Sequence, residues 1–246
     1  MFASCRKAED CDRLKGEGFE SPRIDYDDSD SIHSGLAEVT AATGGTLDAV
    51  FNNGAYACPG AVEDLPREAL KANFETNVFG VHELTRAVIP IMRQQGYGRI
   101  INCSSVLGFV GGPWRGSYVA TKFALEGLTD VLRIEMANLP IHVILIEPGP
   151  ITSEFRNNTI PHFRKWIDHE NSARADEYTK LIDGHLNSTG PTRFELPAEA
   201  VTKKLIHALE SPRPKPRYYV TVPTYIVGFL KRILSTRALD RFLNRG

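Results

Sequence analysis

The sequence predicts an α/β fold, a doubly wound and mostly parallel sheet with helices on both faces. Short apolar runs rich in Val and Ile alternate along the chain with longer segments of helical period. The 246 residues, 42% of them hydrophobic, are enough to bury one substantial core. No internal repeat or break in composition divides them, so we expect a single domain over residues 1–246.

Six runs have the composition of strands that are buried on both faces of a parallel sheet. They are FASC at 2–5, RID at 23–25, LDAVFN at 47–52, RIINCS at 99–104, HVILIE at 142–147 and YYVTV at 218–222. Because the carboxyl ends of parallel strands meet at one edge of the sheet, side chains just after these runs are candidates for ligand binding.

Helices are expected from Asp28 or Ser29 to Gly44–Gly45, from Pro66 to about Gly96, and from about Ser117 to Asn138. An Asp or Ser oxygen can cap the first N–H groups of a helix, and proline is tolerated in a first turn. Pro90 is expected only as a kink or a boundary. Residues 150–195 follow a strand end and are expected to form an irregular loop that contacts the substrate.

Composition and charge exclude several classes of protein. The 29 basic and 30 acidic residues give a formal charge of −1, so no excess of positive charge favours nucleic acid as a partner. The four cysteines form no C-x-x-C pair or Cys/His cluster, the N-terminal residues lack the apolar run of a signal peptide, and no apolar stretch is long enough to span a membrane. We therefore expect a cytoplasmic protein with reduced thiols.

Tyr118 and Lys122 form the pattern that points most directly to chemistry. They stand four residues apart in GSYVATKFALEGL, so their side chains share one face of a helix. An ammonium beside a phenol favours the phenolate, which predicts a lowered pKa for Tyr118 and a role in acid–base catalysis. Ser105 ends a strand 13 residues upstream, where its hydroxyl can hydrogen-bond a carbonyl held near Tyr118. Taken alone, a Tyr/Lys pair is also common on solvated surfaces.

Several motifs in a fixed order extend this pattern. They are FNNGA at 51–55, NVFG at 77–80, INCSS at 101–105, SYVATK at 117–122 and EPGPITSEF at 147–155. With them the chain resembles the short-chain dehydrogenase/reductase family over nearly its whole length, and within it bacterial NADP-dependent aldehyde reductases and retinol and steroid dehydrogenases. The resemblance implies a Rossmann-like fold and an oxidoreductase that uses NADP (NADPH). Its substrate would be an apolar aldehyde or ketone, or the matching alcohol.

The resemblance also implies catalytic roles for four residues. Tyr118 gives a proton to the carbonyl oxygen, Lys122 lowers the pKa of Tyr118 and holds the nicotinamide ribose, and Ser105 orients the carbonyl. Asn77 supports a proton relay through its helix, whereas an ordinary helix residue would bond back to its own backbone. Ser104 competes for the serine role; spacing favours Ser105, and a structural Ser104 would bond to the backbone.

For the adenosine half of the cofactor, the resemblance implies five residues. Arg6 and Lys7 follow the first strand, where a guanidinium can clamp a 2′-phosphate, although basic residues at a strand end are often just solvated. Asp25 matches the residue that meets the adenine amino group, and Asn52 and Gly54 lie beside the adenosine. The motif there reads NNGA instead of the family's NNAG. The residues implied to close over the nicotinamide amide are Pro148, Gly149, Ile151 and Thr152.

One element of the family pattern is absent from the sequence, the glycine-rich T-G-x-x-x-G-x-G loop that binds the pyrophosphate. It would precede the strand at 2–5, so we expect the first strand and first helix of the fold to be missing. Loss of a central strand leaves two strand edges unpaired. This departure favours an N-terminal truncation or a mis-assigned start. It also keeps open an alternative to the enzyme, a cofactor-incompetent fragment or non-catalytic binding scaffold.

Aromatic and apolar side chains on loops beside the proposed site favour an apolar substrate, although each can be an ordinary packing residue. They are Phe109, Val110, Trp114, Phe155, Phe163 and Trp166. His162 and His169 are expected to be surface residues, so no metal site is predicted.

The C-terminal residues 223–246 are expected to form one amphipathic helix. Its basic residues, opposite an apolar set, are Lys231, Arg232, Arg237 and Arg241. Such a helix can dock on the domain, cap the substrate pocket or lie on a membrane surface. The family resemblance further implies a homodimer or homotetramer.

Overall fold

A four-stranded parallel sheet organises the structure, a computed structural model that describes residues 1–186 and 193–244. The strands pair in chain order: β1 (Ala49–Asn52), β2 (Gly98–Cys103), β3 (Ile141–Glu147) and β4 (Arg217–Tyr219). Four of the six predicted strands are thus confirmed, as is the α/β class.

The first two predicted strands are reduced to isolated parallel bridges. Phe2 pairs with Glu20 and Cys5 with Arg23, and in the described part of the chain neither segment pairs with β1. The free edge of β1 is approached by a side chain instead, because the Tyr26 hydroxyl donates to Asn52 Oδ1 at 3.1 Å.

Helices pack on both faces of the sheet. They are α1 (Ala8–Gly16), α2 (Ser29–Ala42), α3 (Arg67–Phe74), α4 (Val81–Gln95), α5 (Gly116–Glu135), α6 (Phe155–Trp166), α7 (Ala175–Leu181), α8 (Glu199–Glu210), α9 (Val222–Ile233) and α10 (Thr236–Leu243). On one face Ile100 packs with Ile32 of α2 and Val88 of α4. On the other, Ile101 packs with Ala208 of α8. Adjacent residues of β2 therefore point into opposite cores, as expected for a strand buried on both sides.

The predicted helix boundaries are largely confirmed. Asp28 caps α2, since its carboxylate accepts a hydrogen bond from Ser31 N at 3.0 Å. The stretch predicted from Pro66 to Gly96 is continuous, but a π-helical segment (Glu75–Gly80) joins α3 to α4, and Pro90 lies inside α4.

Two predictions about the second half of the chain are wrong. Residues 150–195 are mostly helical, in α6, α7 and the π-helical Ile182–Leu186, and their part at 187–192 lies outside the described residues. Thr159 and Phe163, four residues apart, bury one face of α6, which accounts for a helix among polar residues. The C-terminal segment forms two helices because Leu234 and Ser235 adopt extended backbone between them, and 245–246 lie outside the described residues.

Gly80 sets the distance between α4 and the chain at Tyr26. A Cβ at position 80 would overlap the Tyr26 carbonyl oxygen and lie 2.5 Å from the Tyr26 Cβ. We expect Gly80→Ala to lower the free energy of unfolding in urea by about 1–3 kcal/mol, because two backbone segments must separate. The matched variant Gly127→Ala, on α5 with open space around its Cβ, is expected to raise it by about 0.5–1 kcal/mol. Equal effects of the two changes would contradict the steric argument.

Candidate active site

The Tyr/Lys pair and its serine meet at the carboxyl ends of β2 and β3. Tyr118 and Lys122 project from α5 and are 8% and 2% exposed. The Lys122 Nζ donates to the carbonyl oxygen of Cys103 at 2.6 Å and lies 5.5 Å from the centre of the Tyr118 ring. The side chain of Ser105 lies close enough to the Tyr118 hydroxyl to lower its pKa by hydrogen bonding. The structure therefore brings the three predicted side chains together in a buried cluster.

Asn77 lies on the π-helical segment and connects it to α5. Its Nδ2 donates to Tyr56 O at 2.8 Å and to Thr121 Oγ1 at 3.1 Å, and its Oδ1 accepts from Tyr56 N at 3.0 Å. The alternative in which Asn77 bonds back to its own helix is wrong. Thr121 stands between Tyr118 and Lys122, so Asn77 fixes the helix turn that carries them. Sequence reasoning missed Thr121 and Tyr56, although Thr121 lies within SYVATK.

Burial has the largest effect on the pKa values of Tyr118 and Lys122. It raises the pKa of Tyr118 above the ordinary value, and the hydrogen bond with Ser105 lowers that pKa by less. Burial also lowers the pKa of Lys122, with Cys103 and Glu126 acting against it. The expected lowering of the Tyr118 pKa is therefore wrong in this structure, because desolvation outweighs the hydrogen bond with Ser105 and the charge of Arg115, while the Lys122 ammonium bonds to the Cys103 carbonyl. A phenol with a raised pKa stays protonated at neutral pH.

The two candidate serines differ in their bonding. Ser105 Oγ accepts a hydrogen bond from Leu107 N at 3.1 Å and caps the short helical turn at Val106–Gly108. Ser104 Oγ is buried and has no hydrogen-bond partner among the described residues, so the expected backbone bond is not formed.

The predicted adenosine residues gather around the end of β1 and the bridged segment before it. Asn52 is buried, and its Nδ2 donates to Asn102 Oδ1 at 2.8 Å. A Cβ at Gly54 would lie 2.8 Å from the Tyr26 ring. Asp25 lies 3.5 Å from a guanidinium nitrogen of Arg23. A close approach of backbone and ring thus accounts for glycine at position 54.

Arg6 and Lys7, which follow the bridged residue Cys5, are exposed. Lys7 pairs with Glu9 at 3.2 Å, and the Arg6 carbonyl oxygen accepts from Arg23 Nε at 3.0 Å. Burial and, next, the guanidinium of Arg6 lower the pKa of His162 on α6.

The predicted nicotinamide segment, Pro148 to Thr152, leaves the end of β3 and packs against two neighbours. Pro148 O accepts from Val106 N at 2.8 Å, which joins the segment to the serine loop. A Cβ at Gly149 would lie 2.9 Å from Thr224 Oγ1, so glycine permits the contact with the start of α9. Ile151 pairs with Leu196, and Thr152 Oγ1 donates to Glu195 at 2.7 Å.

Comparison with known proteins decides the family. The family model described as short chain dehydrogenase matches residues 5–162, more than half of the chain. The chain belongs to the short-chain dehydrogenase family. It is 37% identical to the uncharacterized oxidoreductase YbbO of Escherichia coli (strain K12), over 99% of this chain and 84% of that protein.

Two further relatives support this short-chain dehydrogenase assignment. An NADPH-dependent 3-dehydrocapnine reductase of Ornithobacterium rhinotracheale is 27% identical over 98% of this chain and 86% of its own length. The crystal structure of a short-chain dehydrogenase from Streptomyces avermitilis superposes with a TM-score of 0.75 at 27% identity, over 94% of this chain and 83% of that one. The match in fold extends beyond the residues that the family model covers.

The predicted substrate-facing side chains of this dehydrogenase lie in different parts of the structure. Phe155 packs edge-on against Tyr118, with ring centres 5.4 Å apart, and Phe109 stacks on Tyr219 at 5.5 Å. The others belong to a separate core around the buried Tyr178, which is joined by Trp114, Phe163 and Trp166, whereas Val110 is buried elsewhere. Phe155 thus contacts the catalytic cluster itself.

The two histidines have aromatic neighbours. His162 stacks on Tyr56, with ring centres 3.7 Å apart, and His169 lies beside Phe163 at 5.1 Å. Over residues 1–186 and 193–244, no group of three or more His, Cys, Asp or Glu side chains is placed to hold a metal ion.

A buried ionic cluster that the sequence did not reveal lies behind Lys122. Arg217 of β4 donates from Nη1 to Glu126 and Glu147, and from Nη2 to Asp130 Oδ2 at 2.7 Å. Glu147 is fully buried, and Glu126 stands one turn after Lys122 on α5. The cluster therefore ties α5 to the end of β3, just before Pro148. Nothing in the local sequence around Arg217 signals these partners.

The carboxyl groups of Glu126 and Glu147 have fewer hydrogen-bond donors around them than they have oxygens. Glu126 Oε1 and Glu147 Oε2 are buried and have no partner in the described part of the chain. Burial and the adjacent Glu126 raise the pKa of Glu147 to about 8. Near neutral pH Glu147 therefore keeps its proton, which it can donate to Glu126 as the missing hydrogen bond.

This shared proton predicts a pH-dependent stability. The folded state keeps a proton on Glu147 that the unfolded state releases above its ordinary pKa of 4.5. The proton's contribution to the free energy of unfolding is fully present below pH 4.5 and is lost as the pH rises to about 8. The free energy of unfolding then falls by up to about 1.4 kcal/mol per pH unit. We expect Glu147→Gln, whose amide donates at every pH, to flatten this slope in urea unfolding between pH 5 and about 8. The matched variant Glu135→Gln, at the end of α5, should keep it; equal slopes in all three proteins would contradict the shared proton.

Proposed function

We propose that this short-chain dehydrogenase reduces the carbonyl group of an apolar aldehyde or ketone with NADPH. The observation that carries the proposal is the buried contact of Tyr118, Lys122 and Ser105 at the strand ends. A protonated phenol beside a hydroxyl can serve a carbonyl oxygen as an acid and as a hydrogen-bond donor. The NADPH-dependent relative and the phenyl ring of Phe155 against Tyr118 support the cofactor and the apolar substrate.

The available side chains fit the nicotinamide riboside and the adenosine 2′-phosphate of NADPH better than the diphosphate between them. Lys122 and Tyr118 present an amine and a phenol that would hold the ribose hydroxyls, with the Gly149 to Thr152 backbone at the amide. Arg6 and Lys7 would meet the 2′-phosphate of the adenosine, which favours NADPH over NADH. Donors for the diphosphate are the weak part of the fit, since the sequence has no glycine-rich loop.

In the proposed reaction, the bound nicotinamide supplies a hydride to the carbonyl carbon. Tyr118 transfers its proton to the carbonyl oxygen, whose developing charge Ser105 stabilises by a hydrogen bond. The ammonium of Lys122 then stabilises the phenolate. Lys122 is held by the Cys103 carbonyl, and its helix turn is held by the Asn77 bond to Thr121.

Steady-state consumption of NADPH tests this function. We expect turnover of a long-chain aldehyde, no turnover of an aldose sugar, and a lower KM for NADPH than for NADH. Arg6→Ala is expected to raise the KM for NADPH about tenfold or more while leaving that for NADH unchanged, because it removes the contact with a 2′-phosphate. Arg13→Ala, another exposed arginine, is the matched control.

The absence of the glycine-rich loop favours the alternative, a non-catalytic scaffold, and a failure to bind NADPH in a fluorescence titration would establish it.

The two serines are expected to respond differently to substitution. Ser105→Ala should lower kcat by about 10²–10³-fold, the effect of losing one donor to a charged oxygen. Ser104→Ala removes a hydroxyl without a partner among the described residues, so kcat should change less than about threefold. Steady-state kinetics of both variants would decide the serine role, and a larger loss for Ser104→Ala would reverse it.

We also propose a homodimer or homotetramer that pairs through α4 and α5. Apolar side chains on the outer surface of α5 support it, namely Leu128, Val131 and Ile134, which are 44–71% exposed. Light scattering of Ile134→Glu tests the pairing, with dissociation as the expected result. A cytoplasmic location stays a prediction.

A further inference from the structure

Helix α9 has apolar residues on two sides, and one side is covered by the domain. Thr224, Val227 and Gly228 are buried, and a Cβ at Gly228 would lie 2.7 Å from the Tyr219 ring. The residues of the other side are spaced by three, four and seven positions, which places them along one stripe. They are Val222, Tyr225, Ile226, Phe229 and Ile233, and they are 44–63% exposed. We call these five residues the α9 stripe.

The charge of the same segment is opposite to that of the rest of the chain. Residues 222–246 contain five basic residues and one acidic residue, whereas residues 1–221 contain 24 basic and 29 acidic. Arg232 lies on α9 next to Ile233, the last residue of the stripe, and Arg237 and Arg241 lie on α10. A second copy of the chain would bring the same positive segment and repel it, while an anionic surface would attract it.

We propose that the α9 stripe and the basic residues of α9 and α10 dock the protein on a lipid bilayer with anionic headgroups. A helix with an apolar stripe and flanking arginines lies in the plane of the interface, its apolar side at the acyl boundary and its cations at the phosphates. Tyr225 and Phe229 supply the aromatic rings that favour this depth. Phe242 of α10, 45% exposed, adds a second apolar contact.

A cavity lies between the loop that follows Ser105 and the two C-terminal helices. It has a volume of about 730 Å³, lies between residues 109–113 and α10, and is lined by Phe109, Phe123, Leu234 and Leu239 among others. The Nζ of Lys231 on α9 donates to the Phe109 carbonyl oxygen, in the loop that starts at Ser105. Where the proposed function holds, an apolar carbonyl compound dissolved in the bilayer would meet this apolar cavity beside the loop that follows Ser105.

Co-sedimentation of the full chain with vesicles tests the docking. We expect the protein to sediment with vesicles of phosphatidylcholine and phosphatidylglycerol, and much less with phosphatidylcholine alone. The double variant Arg232→Gln with Arg237→Gln should lower the partition coefficient about 30-fold, at about fivefold per cation. Phe229→Ser with Ile233→Ser should lower it about tenfold or more, because apolar area at the acyl boundary is lost.

Two matched double variants distinguish docking through the α9 stripe and its arginines from nonspecific binding to vesicles. Lys203→Gln with Arg213→Gln removes two charges elsewhere, and Val62→Ser with Ile206→Ser removes two exposed apolar side chains elsewhere. Both should partition as the unmodified chain does. No sedimentation with anionic vesicles, or equal sedimentation of the stripe variant, would overturn the proposal. So would light scattering in which the stripe variant alone dissociates an oligomer, because a second copy would then cover the stripe. None of these results depends on catalytic activity.

Discussion

Tyr118→Phe is expected to lower kcat for carbonyl reduction by about 10³-fold or more, the usual contribution of a positioned general acid and its proton. The change removes one oxygen from a ring that is 8% exposed and leaves the ring's contact with Phe155 in place. The proposed ribose contact of Lys122 would also remain. We therefore expect the dissociation constant for NADPH, measured by fluorescence titration, to change by less than about tenfold.

Tyr97→Phe is the matched control. Tyr97 is exposed, its hydroxyl donates to Asp48 Oδ1 at 2.9 Å, and it precedes β2, whose opposite end carries the cluster. It should leave kcat unchanged, and thermal melts of both variants should agree with that of the parent protein within a few degrees. A Tyr118→Phe enzyme with a near-native rate would refute the proposed mechanism, whereas loss of the melting transition would show that the hydroxyl serves the fold.

The cluster of Tyr118, Lys122 and Ser105 could be predicted because its members come from local patterns. Tyr118 and Lys122 share a helix face by their spacing, and Ser105 ends a strand that its β-branched residues reveal. Their protonation could not be predicted in the same way. The depth of burial depends on packing from distant segments, such as Phe155 against Tyr118, and that burial reversed the expected direction of the pKa shift.

The fold, too, could be predicted from the sequence only in part. The strands of the parallel sheet were predicted because they are continuous apolar runs, but the helices of residues 155–181 were not, since their polar composition hides the buried face of Phe163 and Tyr178. The segments at 2–5 and 23–25 have strand composition yet form only single bridges. A strand needs a neighbour as well as a propensity, and the described residues offer these segments only each other.

Arg217→Met is expected to lower the free energy of unfolding by about 3–5 kcal/mol, because it leaves two buried carboxyl groups without their shared cation. Glu147 is fully buried, and the side chain of Glu126 is 8% exposed, so water cannot replace the guanidinium at either group. Arg133→Met is the matched control. Arg133 pairs with Asp130 at 2.6 Å, but the two side chains are 31% and 39% exposed, and such pairs contribute about 0–1 kcal/mol.

The double variant Arg217→Met with Glu126→Gln identifies the cause of the loss. If the cost is that of a buried charge without a partner, replacing the carboxyl group of Glu126 by an amide restores part of the stability that Arg217→Met removes. Urea unfolding of the four proteins at neutral pH gives the coupling free energy. Strictly additive losses, or a loss below about 1 kcal/mol for Arg217→Met, would show that the cluster is hydrated and does not hold α5 against the end of β3.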